Sequence, residues 1–352
     1  MTKTHTVCCA AVLLAVCCML AGQARADSNA YHWNGQEQFF EGWYFKVSDP
    51  VSRKSFLFIY AVLNPDGGSP HSQGFMMAGN NSPGSAHSVF QSFPVDEFSS
   101  EYDRFDTRIG DENRAWGDAG TVHFEGSISD GEHTCSWNIQ MTISEAWTDT
   151  MGWMENLSDL QTYWYVHAMK AGATGWIRWD DDYFAFEDCI GYHEKNWGDE
   201  FPESWYWLQA NHFDDPDACC ISVGGATMPI GPFVFNACGI GFRYGGEMFV
   251  FSFPQTAARI IPVIEPGAWD IQAFRGRYKI HISAWCDTGD LINLMNPTEQ
   301  GIVPYTWETL AGSLRVRLYE RSGLAWRRIV DTTSDLAGLE FGGAGWLGWQ
   351  DR

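Results

Sequence analysis

Four segments of the chain combine aromatic rings with acidic, basic and amide side chains at the spacing of a β-strand. The first comprises residues 31–35 and then residues 39–46, which read F-F-E-G-W-Y-F-K. In a strand, Glu41, Trp43 and Phe45 would share one face. A carboxyl group beside two aromatic rings loses solvation, which raises its pKa and makes Glu41 a candidate proton donor. The alternative is a carboxylate paired with a Lys or an Arg.

Two central segments carry more potential chemistry. Residues 175–188 predict a hairpin with an acidic turn, and this stretch ends at Glu187-Asp188. Residues 191–198 then place a base, an acid, an ammonium group, an amide and an indole in succession: His193, Glu194, Lys195, Asn196 and Trp197. A β-bulge or tight turn whose polar groups satisfy one another is the alternative interpretation.

The fourth segment, residues 201–213, is richest in Trp and amides. On a strand, one face would present Trp205, Trp207, Gln209 and Asn211. Indole rings with amides beyond them are typical of the wall of an apolar pocket that has a polar floor. The segment therefore predicts a binding cavity for a largely apolar small molecule.

Several other chemistries are excluded by spacing. His193-Glu194 lacks the second His of a zinc-protease helix, and no C-x-x-C pair occurs. The three Asp at 180–182 lack the alternating ligand spacing of a calcium loop. No P-loop, dinucleotide fingerprint or G-x-S-x-G elbow occurs. We therefore predict no metal site, no nucleotide chemistry and no serine hydrolase.

At these segments the chain resembles the tocopherol cyclase family. The resemblance extends from about residue 31 to residue 349, in collinear order. Its motifs are residues 39–46, F-x-F-E-D at 184–188, E-K-N-W-G at 194–198, F-P at 201–202, W-Y-W-L-Q-A-N at 205–211, and G-G-A-G-W at 342–346 with Trp349.

This resemblance implies a two-part lipocalin-like β fold, related to carotenoid hydratase-like proteins. It also implies closure of a chromanol ring from a prenylated benzoquinol, without a redox cofactor or a metal. Such a reaction needs a neutral carboxylic acid that protonates the alkene, and aromatic faces that stabilise the resulting cation. On chemical grounds we expect Glu194 or Asp188 to be the proton donor, with Glu41 as competitor.

The same ring-closure hypothesis assigns roles to the other residues of these motifs. Indole rings would line the isoprenoid path, namely those of Trp43, Trp197, Trp205 and Trp207. Polar side chains would orient the quinol hydroxyl, namely those of His193, Asn196 and Gln209. Lys195 argues against a neutral Glu194, because a nearby ammonium group lowers a carboxyl pKa. That objection weakens if Lys195 points to the opposite face of its strand.

Three other functions fit the same residues. An isoprenoid hydratase would use the same acid and cavity, with water in place of the phenol. A non-catalytic carrier of quinones or other lipids would need only the cavity. Carbohydrate binding ranks last, because most of the Trp residues fall within alternating stretches that are typical of a core.

The elements that must position these residues are strands. Polar and apolar residues alternate in residues 137–143, 277–285 and 314–318, and continuous apolar runs occur at 56–62 and 248–251. Long helical patterns are nearly absent. We therefore predict an all-β protein with two barrel- or sandwich-like halves, residues 27–180 and 181–352, packed around an aromatic cleft.

The amino-acid composition limits the kinds of molecule that the protein is expected to bind. The 352 residues include 22 Lys and Arg against 44 Asp and Glu, a formal charge of −22. This excess of acid argues against nucleic acid and against adsorption to anionic lipid. The 18 Trp exceed what a core of this size needs.

Residues 1–26 predict a secretory leader, with Lys3, an apolar stretch at 7–21 and an A-x-A site at 24–26. We therefore expect a periplasmic or extracellular protein whose partner is a hydrophobic small molecule, with peripheral membrane contact as an open alternative. Six cysteines follow the leader, and their spacing does not determine any pairing.

Overall fold

The computed structural model describes residues 28–82, 84–158, 160–230 and 233–351. The predicted leader at 1–26 lies outside these residues, so export stays a prediction that the N-terminal sequence of the native protein would test. The described residues contain strands and five short 3₁₀ turns but no α-helix. No helix in this part of the chain is long and apolar enough to cross a membrane.

The first half of the chain forms an eleven-stranded antiparallel sheet that curves around its own core. Its strands are β1 (Phe40–Ser48), β2 (Ser55–Leu63), β3 (Gln73–Ser82), β4 (Ser85–Pro94), β5 (Phe98–Ser100), β6 (Phe105–Ile109), β7 (Asn113–Gly117), β8 (Thr121–Ser129), β9 (Thr134–Trp147), β10 (Thr162–Trp179) and β11 (Asp182–Gly198). The order across the sheet is β4-β3-β2-β1-β11-β10-β9-β8-β7-β6-β5. A 3₁₀ turn, Val95–Glu97, joins the two edge strands.

The second half forms a ten-stranded sheet with the same kind of connections. Its strands are β12 (Ser204–Ala210), β13 (Ala218–Ile230), β14 (Phe233–Tyr244), β15 (Glu247–Phe253), β16 (Arg259–Glu265), β17 (Ala268–Arg275), β18 (Tyr278–Trp285), β19 (Ile292–Thr298), β20 (Gly301–Ser322) and β21 (Ala325–Gly342). The order is β15-β14-β13-β12-β21-β20-β18-β17-β16, and β19 pairs with β20. The other 3₁₀ turns are Gly152–Asn156, Thr288–Asp290, Ala344–Trp346 and Trp349–Asp351.

The two sheets repeat one topology. In each, the first strand pairs with the last, β1 with β11 and β12 with β21. The chain passes from one sheet to the other between Gly198 and Ser204, whereas the sequence placed the division of the halves between residues 180 and 181. The assignment of residues 27–180 and 181–352 to two domains stays a prediction. The all-β class and the two halves around an aromatic cleft are confirmed.

Alternation along the strands divides the apolar residues among three buried clusters. One cluster fills the concave side of the first sheet and includes Trp43, Phe45 and Trp137. A second fills the second sheet. The third lies between the sheets and includes Tyr44, Tyr192 and other side chains from both. Because adjacent strand residues point to opposite faces, β1 and β11 each contribute to the first and third clusters.

Candidate active site

The space between the sheets holds two facing rows of polar side chains. In the first sheet, Tyr44 of β1 lies directly opposite Glu194 of β11. In the second sheet, Trp207 of β12 pairs with Glu340 of β21, which in turn pairs with Glu308 of β20. Residues paired in this way lie about 5 Å apart on one face of a sheet. Antiparallel pairing thus brings three carboxyl groups and two rings together.

Hydrogen bonds connect the rows across the sheet interface. The Trp207 indole donates from Nε1 to Glu194 Oε2 at 2.7 Å. The Tyr44 hydroxyl donates to Glu308 Oε1 at 2.5 Å. Glu340 lies between these two bridges, because it is the strand neighbour of both Trp207 and Glu308. It is therefore at the centre of the arrangement.

Glu194 accepts three hydrogen bonds on a single oxygen. Besides Trp207, the Trp164 indole (2.8 Å) and the Tyr192 hydroxyl (2.5 Å) donate to Oε2. Burial raises the pKa of Glu194 to about 7, and the three donors oppose that rise because they stabilise the carboxylate. A proton on this group would therefore reside on Oε1, the oxygen that takes no part in these bonds.

Glu340 has a simpler environment. It accepts a hydrogen bond from Trp205 Nε1 at 2.7 Å. Burial, reinforced by the neighbouring Glu194, raises the pKa of Glu340 to about 8. Gly338 and Gly342 flank it on the same face, and a Cβ there would lie 2.6 Å from the Trp207 ring and 2.1 Å from the Trp205 ring. Glycine at these positions allows both indoles to lie against β21.

Glu308 is the most enclosed of the three acids. It is completely buried, and burial raises its pKa well above the ordinary value, with Glu340 adding to the rise. Its second oxygen, Oε2, has no hydrogen-bond partner among the described residues. Nearby, buried Lys46 donates to Gln209 Oε1 at 3.1 Å and to the Leu336 carbonyl at 2.8 Å. Burial lowers the pKa of Lys46 to about 7, although Glu308 opposes this.

Glu194 and Glu340 face a cavity with two lobes, whose volumes are about 110 Å³ and about 70 Å³. Both lobes are bounded by Glu194, Asn196, Phe201, Trp205 and Glu340. The larger lobe adds Trp164, Trp207 and methionine side chains, and the smaller lobe adds Tyr44 and apolar side chains of β1 to β3. The arrangement is a small, largely apolar cavity with two protonatable carboxyl groups in its wall.

The other faces of β1 and β11 carry a separate buried ion pair. Lys195 forms a salt bridge with Glu41, and both side chains are fully buried. His32 contacts both, with its Nδ1 3.0 Å from Glu41 Oε1 and 2.9 Å from Lys195 Nζ, and stacks on Trp197 at 4.1 Å. The Lys195 ammonium and His32 lower the pKa of Glu41 in spite of its burial, which acts in the opposite direction.

This ion pair anchors the segment that precedes β1. Lys195 donates to the Ala30 carbonyl, and the Trp43 indole donates to the Asn29 carbonyl at 2.9 Å. His193 contacts Asn29 Oδ1 at 3.1 Å through Nε2 and stacks on Phe45. Burial lowers the pKa of His193 far below its ordinary value. These residues hold residues 29–32 against the first sheet.

The structure thus divides the residues that the sequence singled out. Four of them border the cavity: Glu194, Asn196, Trp205 and Trp207. Five lie on the opposite face of the first sheet and do not reach it: Glu41, Trp43, His193, Lys195 and Trp197. Asp188 is exposed on β11, and Asn211 donates to backbone carbonyls. Gln209 lies with Lys46, not in the cavity wall.

Sequence reasoning missed Glu340, Glu308, Tyr44, Tyr192 and Trp164. The spacing G-L-E-F-G at 338–342 was the available signal for Glu340, because two glycines on the face of a carboxylate leave space for large neighbours. Glu308 and Trp164 lie in ordinary alternating strands, so no local pattern distinguishes them.

Comparisons with known proteins agree with this architecture. A family model described as tocopherol cyclase-like matches residues 37–343. The chloroplastic tocopherol cyclase of Zea mays is 30% identical over 93% of this chain and 80% of its own length.

Two solved structures share the fold at low identity. A candidate AttH of Nitrosomonas europaea is 14% identical, with a TM-score of 0.55 over 92% of this chain and 98% of that one. Kievitone hydratase from Nectria haematococca is 11% identical, with a TM-score of 0.55 over 88% and 90%. These likenesses confirm the expected lipocalin-like fold. The collinear motifs, the family match and the plant relative together show that the chain belongs to the tocopherol cyclase-like family.

Proposed function

We propose that this protein is an intramolecular lyase or isomerase that closes a chromanol ring on a prenylated benzoquinol, as the name of its maize relative suggests. The observation that supports this proposal is the pair Glu194 and Glu340. Glu194 is buried and Glu340 is half-buried, both have a raised pKa, and both border one indole-walled cavity. Addition of a phenol O–H across an alkene needs one group that gives a proton and another that takes one.

Glu340 is the proposed proton donor. It receives one indole hydrogen bond, whereas Glu194 receives three, and donors to a carboxylate favour ionisation. When the two acids share a single proton, Glu340 therefore holds it. In the reaction, Glu340 protonates one alkene carbon, and the π electrons form the new C–H bond. This assignment revises the sequence-based hypothesis, in which Glu194 or Asp188 was the donor.

Glu194 is the proposed acceptor of the phenol proton. As the phenol oxygen forms the C–O bond to the cationic carbon, its proton passes to Glu194 Oε1. Substrate and product are isomers, and after ring closure the proton returns from Glu194 to Glu340, whose pKa is higher, so that the pair regains its starting state. The ring faces of Trp164, Trp205 and Trp207 would stabilise the tertiary cation.

The proposal predicts a bell-shaped pH profile. Glu194 must be ionised, so kcat/KM is expected to fall as the pH decreases through about 7. Glu340 must be protonated, so the rate is expected to fall as the pH increases through about 8. The two limbs are properties of the coupled pair. A rate that stays flat from pH 5 to pH 10 in steady-state assays would contradict this mechanism.

Substitution of the indole donors is expected to shift the acid limb and the alkaline limb of the pH–rate profile separately. Trp207→Phe removes one donor to Glu194, which raises the pKa of that group and is expected to shift the acid limb upward by about one pH unit. Trp205→Phe removes the donor to Glu340 and is expected to shift the alkaline limb instead. Equal shifts of both limbs in either variant would show that the assigned roles are wrong.

Product analysis tests the function itself. The purified protein is incubated with a synthetic prenyl-benzoquinol and the products are examined by mass spectrometry. A chromanol has the mass of its substrate, which supports the cyclase. A product that has gained water supports the isoprenoid hydratase, and tight binding without conversion supports the lipid carrier.

A further inference from the structure

Two adjacent cysteines lie at an irregularity in the second sheet. In a regular strand the side chains of Cys219 and Cys220 would point to opposite faces. The register between β13 and β14 shifts between Ala218, which pairs with Tyr244, and Cys220, which pairs with Arg243. Cys219 is thus the extra residue of a β-bulge, where the alternation of side chains breaks down. At this bulge both side chains pack in the cluster between the sheets, Cys220 as a buried member and Cys219 against it.

The surroundings of the pair differ from those of the other cysteines. Cys219 is partly exposed, while Cys220 is completely buried in the cluster between the sheets. The Lys170 and Arg243 cations lie near Cys219 and outweigh the single carboxylate of Glu145. The adjacent Cys220 thiol, followed by these two cations, lowers the pKa of Cys219 to about 7, although burial acts in the opposite direction. A partly exposed thiol in a positive environment is the usual setting of a reactive cysteine.

We infer that Cys219 is a redox-reactive thiol that hydroperoxides oxidise, and that Cys220 resolves it as a disulfide between adjacent residues. The Cys219 thiolate attacks the peroxide O–O bond, which forms a sulfenic acid and releases the reduced oxygen as water or an alcohol. The Cys220 thiol then attacks the sulfenic sulfur, and a second water leaves as the S–S bond forms. Each hydroperoxide accepts the two electrons that the two thiols lose.

Cys286 provides a matched control within the same chain. It is also partly exposed, but burial and the neighbouring Asp287 and Asp290 raise its pKa to about 11. Near pH 7 its thiolate fraction is far smaller, although each thiolate is intrinsically more nucleophilic. Alkylation of the native protein with limiting iodoacetamide, followed by peptide mass spectrometry, is therefore expected to modify Cys219 at least about tenfold faster than Cys286.

Peroxide treatment tests the resolving step. One equivalent of hydrogen peroxide is expected to convert the wild-type 219–220 peptide to a disulfide that dithiothreitol reduces. Cys220→Ser is expected to stop at a sulfenic acid that dimedone traps, and Cys219→Ser to yield neither product. Equal alkylation of Cys219 and Cys286, preferential oxidation of Cys286, or a lasting wild-type sulfenic acid would overturn the proposal. No step depends on turnover of a prenylquinol, so the result is independent of the proposed function.

Discussion

Glu340→Gln is expected to lower the turnover of a prenyl-benzoquinol by about 10²- to 10⁴-fold, the usual contribution of a positioned acid. Glutamine keeps the size of the side chain and can still accept a hydrogen bond from Trp205, but it carries no acidic proton. Binding of the substrate should change little, because the cavity keeps its shape. Steady-state and single-turnover kinetics, with circular dichroism to verify folding, measure the effect.

The control for this variant is Glu203→Gln. Glu203 lies immediately before β12 but its side chain is exposed, so full activity is expected. Asp188→Asn tests the alternative donor from the sequence hypothesis, and its exposed position predicts little change. Full activity of Glu340→Gln, or loss of turnover in Asp188→Asn alone, would show that the acid lies elsewhere.

Lys195→Met is expected to lower the free energy of unfolding by about 3–5 kcal/mol, because it leaves the Glu41 carboxylate buried without its cation. The double variant Glu41→Gln/Lys195→Met removes both charges and is expected to recover most of that loss. Urea unfolding of the wild type, both single variants and the double variant measures the coupling. Additive losses, or a stable Lys195→Met protein that lacks activity, would contradict a structural role.

The Glu41–Lys195 ion pair also predicts how the stability of the protein changes at acidic pH. The pKa of Glu41 is lowered in the folded protein, so its contribution to stability is present above the ordinary carboxyl pKa and is lost as the pH falls through the folded value. The Glu41→Gln variant should therefore lose less of its stability in acid than the wild type does.

Face assignments within strands could be predicted from the sequence. The rule that neighbouring residues alternate placed Glu41, Trp43 and Phe45 together, and the structure finds Trp43 and Phe45 in one cluster. It likewise placed Trp205, Trp207 and Gln209 on one face of β12, and all three point between the sheets. Lys195, next to Glu194 in sequence, lies on the opposite face, so it does not hold Glu194 in its ionised form.

The partners across the sheets could not be predicted. Tyr44 and Glu308 are separated by 264 residues, and Glu194 reaches Trp207 only because two sheets pack face to face. Which acid is central depends on the register of β12, β21 and β20, since a shift of one residue would turn Glu340 to the other side of its strand.

The sequence by itself therefore determined the all-β class, the family resemblance and the side of each strand on which a residue lies, because these depend on local alternation and on motifs within single segments. Only the tertiary structure decided which carboxyl groups share the cavity and which form the anchoring ion pair. Glu194 and Lys195 are neighbours in one motif, yet they lie on opposite faces of β11: Glu194 faces the cavity between the sheets, and Lys195 faces the interior of the first sheet. The raised pKa of Glu194 and Glu340 is likewise a property of burial between two sheets, which no single strand encodes.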